Sequence, residues 1–220
     1  MVSAILLAVC GSGQAQTARS CGAPPEPAVI EVVTADPQVS VNDRFSKADL
    51  AGLAAREYGH VHAEGVSVFG LTVGRVKSEL YVESLLIEAG DGQKCGWPSR
   101  LVARVAYEGP IEVYVAREYR RGSCQHDAVL QHEMEHVTVF RAAVRDYEAL
   151  IRAALQQVRE EALFPVTGQD AELVRRRIGQ RFEGAFRGAV AAATAARNRI
   201  NALLDTPDSY QRTRLRCDFW

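Results

Sequence analysis

Near the middle of the chain stand His132, Glu133, Met134, Glu135 and His136. On a helix, residues four apart lie one above the other on the same face. The rings of His132 and His136 can therefore converge on one tetrahedral cation. Glu133 stands beside them, placed to take a proton from a water held by that cation. A divalent ion lowers such a water's pKa toward neutrality, and a glutamate can pass the proton on to a leaving amine. The spacing thus assigns His132 and His136 as ligands of Zn2+ and Glu133 as the catalytic base. The chain holds only 5 His, so two of them at this spacing beside a Glu are an informative coincidence.

A catalytic zinc needs a third protein ligand and one open position. A straight helix does not supply that ligand from the turns beyond His136, because those residues recede along the axis. Glu160 and Glu161 would serve only if the helix broke, and nothing between His136 and Leu163 breaks it. A return near Val166 would instead bring 198–208 back beside His132. Asp205 is the first candidate there, with Asp208 and, ahead of the helix, His126 as alternatives. His60 and His62 are far away in sequence and read as structural or solvated. Tyr107, Tyr119 and Tyr210 could each donate to an oxyanion, although packing is the commoner role.

The elements that must hold these groups divide near Gly122. Before it, β-like runs cover Ala28–Val33, Val66–Val73, Leu80–Ile87, Leu101–Tyr107 and Ile111–Val115, and the last two suggest an antiparallel hairpin through Gly109-Pro110. One helix is expected over Lys47–Tyr58, capped by Ser46. After Gly122, Asp127–Leu163 contains no Gly or Pro and repeats Val137, Phe140, Val144, Tyr147, Ile151, Ala154 and Val158 as a packing seam. A second helix is expected over Asp170–Leu204, with Val174, Ile178, Phe182, Ala185, Ala189, Ala192, Ala196 and Leu203 on one stripe. Gly179, Gly184 and Gly188 would let a partner helix approach closely, and the short connection makes the two helices antiparallel. The expected fold is α+β, a small antiparallel sheet with a short helix followed by a long two-helix hairpin carrying HExxH.

HEMEH on a helix behind β-strands resembles the zincin superfamily of metallopeptidases. The wider context, Cys95 ahead of a strand pair, then YRRGSC, AVLQHEMEHVTVF and a long helix, is similar to a family of predicted secreted zinc-dependent proteases of bacteria. The resemblance runs from about Cys95 to Asp208, with HExxH its one sharp motif. It implies a zinc-dependent peptidase acting on peptides or proteins. That family carries an Asp and then a His beyond its second helix, whereas Leu204–Tyr210 here holds Asp205 and Asp208 but no His. Two other functions fit the residues: a zinc amidase of cell-wall material, and a non-catalytic exported protein that binds a partner through its helical hairpin.

Composition narrows the setting. With 220 residues, 47% hydrophobic and 24% charged, the chain can bury a sizeable core and is neither disordered nor collagen-like. Its 26 basic and 27 acidic residues leave a formal charge of −1, so no overall field attracts nucleic acid or an anionic membrane. Residues 1–18 read as a signal peptide, apolar over Met1–Cys10 and then small, with cleavage after Ala15 or Ala18; a lipid anchor at Cys10 is the alternative. Such a protein would be secreted or periplasmic, without stable membrane insertion after cleavage. Of 5 Cys, cleavage would leave Cys21, Cys95, Cys124 and Cys217 for two disulfides, expected as Cys95–Cys124 and Cys21–Cys217. Residues 19–122 then form a β-rich region, and 123–220 the helical hairpin packed with it as one unit.

Overall fold

The computed structural model describes residues 21–22, 26–59, 68–90, 92–161 and 165–220. The signal segment with Cys10, and His60 and His62, lie outside the described residues. The strands are β1 (Val29–Thr34), β2 (Val39–Asn42), β3 (Gly70–Val73), β4 (Val76–Glu88), β5 (Lys94–Tyr107), β6 (Ile111–Val115) and β7 (Val166–Gly168). The helices are α1 (Lys47–Tyr58), α2 (Cys124–Glu161), α3 (Ala171–Leu204) and α4 (Pro207–Arg214). The fold is α+β, with α2 and α3 packed as a long hairpin.

The strands form two mixed sheets rather than one antiparallel sheet. One has the order β1-β5-β4, with β7 on the start of β5; the other has the order β2-β6-β3. Within them β1 runs parallel to β5 and β2 parallel to β6. The expected hairpin of Leu101–Tyr107 with Ile111–Val115 is therefore absent, since β5 and β6 belong to different sheets. Length and burial explain the change. The 14 residues of β5 are matched by the 13 of β4, which joins it antiparallel through a turn with Gly90 and Gly92 at φ 65° and 72°. The 5 residues of β6 could satisfy only part of β5, and their buried Ile111, Val113 and Val115 face other apolar partners.

Three apolar clusters follow. Leu101, Ala103 and Val105 of β5 pack on Tyr147, Ile151 and Leu155 of α2 and on Ile178, Phe182 and Phe186 of α3. Leu50 and Ala54 of α1 meet Leu71, Val115 and Val129, and Ile111 and Val113 meet Val137 and Phe140. Full burial of a side chain of this size contributes about 1.5–3 kcal/mol, so these clusters dominate what holds the hairpin to the sheets. Ser46 caps α1 as expected: its hydroxyl accepts from Asp49 N at 3.1 Å, and Asp49 Oδ2 accepts from Ser46 N at 2.9 Å.

The seam on α2 stands, with Val137, Phe140, Val144, Tyr147 and Ile151 buried. On α3 the stripe departs from expectation after Phe182. Ala189 is buried as expected, but Phe186, Ala193 and Arg197 are buried rather than Ala185, Ala192 and Ala196, and Leu203 is 71% exposed. Spacings of four and three keep the buried face turned toward α2, and steps of four from Ala189 lead on through Asn201 to Asp205. The three glycines also differ from expectation, since a Cβ built on Gly179, Gly184 or Gly188 meets nothing within 4 Å. They permit no close helix approach. Replacing each by Ala should therefore stabilise the fold by about 0.5–1 kcal/mol, read as a raised denaturant midpoint.

Candidate metal centre

The antiparallel hairpin sets the first turns of α2 beside the end of α3. The Cys124–Cys217 disulfide ties the segment after α4 to the start of α2. The second disulfide is Cys21–Cys95. Both pairings correct the expected Cys95–Cys124 and Cys21–Cys217. Cys95 opens β5 in one layer and Cys124 opens α2 in another, whereas α4 folds back over the α2 start and brings Cys217 with it. The segment Thr206-Pro207 explains that fold-back. Thr206 caps α4, its hydroxyl accepting from Ser209 N at 3.3 Å, and Pro207 occupies the first turn, where its missing N–H costs nothing.

His132 and His136 are both buried, and their rings lie 5.1 Å apart at 87°. Asp205, the C-cap residue of α3, reaches both: its Oδ1 is 3.1 Å from His136 Nε2 and 3.5 Å from His132 Nε2. One ligand atom from each of the three residues lies within 4.8 Å of the others. A tetrahedral ion bound at about 2.0–2.2 Å sets its ligand atoms about 3.3–3.6 Å apart; the 3.5 Å separation lies in that range and the 3.1 Å one just below it. Among the described residues, His132 Nε2 is buried without a hydrogen-bond partner, and a cation would satisfy it. Asn201, one turn before Asp205, lies with Oδ1 3.0 Å from His136 Nδ1. Accepting that N–H fixes the tautomer that presents the Nε2 lone pair to an ion. The donor set of two imidazoles and a carboxylate suits a first-row divalent cation.

The alternative ligands stand elsewhere. Asp208 is exposed in the first turn of α4, and His126 pairs its Nδ1 with Asp127 Oδ1 at 3.0 Å; neither joins the group. Glu160 and Glu161 lie at the far end of the unbroken α2.

Glu133 is 4% exposed and points under β3, where the hydroxyl of Thr72 donates to its Oε2 at 2.8 Å. A Cβ at Gly70 would stand 2.5 Å from Glu133 Oε1, so only glycine admits the carboxylate there. Burial pushes the Glu133 carboxyl above the usual carboxylate range, against the opposing pull of His136 and His132. A cavity of about 270 Å³ opens over Glu133, His136 and Asp205 and supplies the open side of the site. Tyr210 donates to Asp205 Oδ1 at 3.0 Å, and its ring centroid lies 5.5 Å from that of His132.

No family model, curated protein or solved structure matches this chain. What stands on its own geometry is a His132–His136–Asp205 group that could hold a metal ion, set on a long helix pair. Asn201, Thr72 and Gly70 escaped the sequence reading. Asn201 was within its reach, because it precedes Asp205 by four and so shares its helix face. Thr72 and Gly70 come from another sheet and carried no such signal.

Charge in the group predicts its pH behaviour without metal. Burial presses the His136 pKa down, but Asp205 and Glu133 outweigh it and raise it from 6.5 to about 9. Burial presses Asp205 upward, but His132, His136 and Tyr210 hold it well below 3.8. The raised histidine stabilises the fold fully below pH 6.5 and loses that contribution as pH rises through about 9. The depressed aspartate contributes above pH 3.8 and loses it as pH falls through its folded value. Thermal melts in chelator should therefore drop as pH rises from about 7 to 10, and added zinc should flatten that limb.

Proposed function

We propose that the protein is an exported zinc-dependent peptidase. The observation that carries this reading is the convergence of His132, His136 and Asp205, with Glu133 at the floor of the same cavity. Zinc held by His132, His136 and Asp205 would acidify a water toward neutral pH and polarise the scissile carbonyl. Glu133 accepts a proton from the attacking water. Burial, which raises its pKa, suits it to hold that proton, while the hydrogen bond from Thr72 orients the carboxylate; the proton then returns to the leaving amine as the C–N bond breaks. Asn201 holds the His136 ring, and Tyr210 holds Asp205.

The substrate would lie along β3. β3 is the edge of its sheet, and its Gly70, Leu71 and Thr72 line the cavity. Phe69 O accepts from Ala116 N, so alternation leaves the Gly70 peptide groups facing outward for an extended peptide. The two disulfides suit an oxidising compartment. No helix among the described residues is long and apolar enough to cross a membrane.

Metal content tests the reading most directly. Purified protein should hold one zinc per chain and cleave members of a peptide library. Asp205→Ala should weaken zinc binding by more than ~100-fold and Asn201→Ala by about 10–100-fold, because loss of a ligand exceeds loss of its orienting partner. A folded wild type that takes up no zinc, or a full affinity retained by Asp205→Ala, would sink this assignment. Cleavage of cell-wall fragments but of no peptide would move the function to an amidase.

A further inference from the structure

The buried face of α3 carries a charge that the chemistry above does not use. Arg197 stands two turns before Asp205, with Asn201 between them on the same face, and it is only 8% exposed. Arginine is almost never buried without a paired charge. Among the described residues, none of the ion pairs involves Arg197. Its Nε and Nη2 donate to the neutral Asn198 Oδ1 at 3.2 and 2.9 Å, and its Nη1 has no partner. The guanidinium carbon lies 4.8 Å from the centroid of the Phe140 ring, which itself lines the metal cavity.

The surroundings show where this charge leads. Arg197 lines a second cavity of about 270 Å³, which meets the first at Tyr58 and Asn198, residues common to both. The other charged groups of that cavity, Arg75 and Glu57, are paired with each other, so Arg197 leaves it net positive. Tyr58 also limits the free edge of β3, because its hydroxyl donates to Thr72 O at 2.6 Å. An extended chain pairing at Gly70 would meet Tyr58 at the next outward carbonyl. The cleft therefore has a closed end, and a cation stands behind it.

We propose that Arg197 recognises the terminal carboxylate of a peptide, so that substrates are cleaved close to their C-terminal end. The proposal rests on the peptidase reading above. A carboxylate is a stronger acceptor for guanidinium than the Asn198 amide. Eight helical residues separate the Arg197 and Asp205 backbones by about 12 Å. An extended chain covers about 3.3–3.6 Å per residue, which puts the cleaved bond within roughly the last three residues.

The test uses pairs of tetrapeptides of one sequence, ending in a free carboxylate or in an amide. Each is titrated calorimetrically into zinc-loaded Glu133→Gln protein and offered to the wild type as substrate. The acid should bind at least tenfold more tightly than the amide. Arg197→Gln should bring that ratio close to one, and Arg197→Lys should restore part of it. Equal affinity for acid and amide, or binding of neither, overturns the assignment even if the Arg197 variants do not fold. Hydrolysis of both forms at equal rates overturns it and leaves the peptidase reading standing. Acid-selective binding that depends on Arg197, without hydrolysis by the wild type, supports the carboxylate site and removes the peptidase reading instead.

Discussion

Glu133→Gln is expected to keep zinc and to lose turnover by about 10²–10⁴-fold, the range that a positioned general base supplies. Glutamine preserves the volume under β3, where a Cβ at Gly70 already has no room, and it can still accept from the Thr72 hydroxyl. It cannot accept a proton. Because Glu133 is outside the ligand group, metal content should match the wild type. Steady-state kinetics with zinc analysis on the same samples checks both halves. The loss should fall on kcat, with KM changed little, because Glu133 acts on the water more than on the peptide. Undiminished turnover in the variant would remove the role given to this residue.

Deleting the Cys124–Cys217 bridge should cost both stability and metal affinity. The bridge spans 93 residues, and the chain-entropy relation gives about 4–5 kcal/mol for a loop of that length. For a chain of this size that corresponds to a melting point lower by roughly 10–20 °C. The metal effect has a separate cause. Cys217 follows α4 closely, and α4 presents Tyr210 to both Asp205 and His132. A Cys124→Ser/Cys217→Ser protein should therefore bind zinc less tightly at temperatures where it is still folded. The companion bridge, Cys21–Cys95, spans 74 residues and anchors the start of β5 instead. Its removal should destabilise by a similar amount and leave zinc affinity unchanged. Competition titration against a chromophoric chelator separates the two cases, and equal zinc loss in both variants would refute this division.

Much of the site was legible because helices carry their geometry in their spacing. The i, i+4 histidines, the unbroken α2 and the short return through Val166 together place Asp205 beside His132 and His136. Sheet pairing lacks such a local rule. Alternation in Leu101–Tyr107 and Ile111–Val115 marked both strands, but nothing in either run says which partner each takes. Disulfide pairing failed for the same reason, since it depends on which layer each cysteine enters. The short α4 was missed although Thr206 and Pro207 announce it, because too few residues follow them to show a period. Arg197 sat hidden in an Ala-rich stretch, and only the observed drift of the α3 stripe toward Phe186 reveals it as buried.

The two parallel pairings carry a kinetic consequence. Val29 pairs with Arg100, and Val39 with Ile111, so β1 and β2 have no partner until the chain through β6 is present. The helical hairpin, by contrast, is closed by a short connection that includes β7. On refolding, α2 with α3 and the local β4–β5 hairpin should form early, and β1 and β2 should join their sheets late and together, because β1 leads directly into β2 as β5 leads into β6. Until that step β3 has no sheet to edge and Glu133 has no roof. Ligands on α2 and α3 would thus meet before the base is seated, and metal capture would precede the competence to use it.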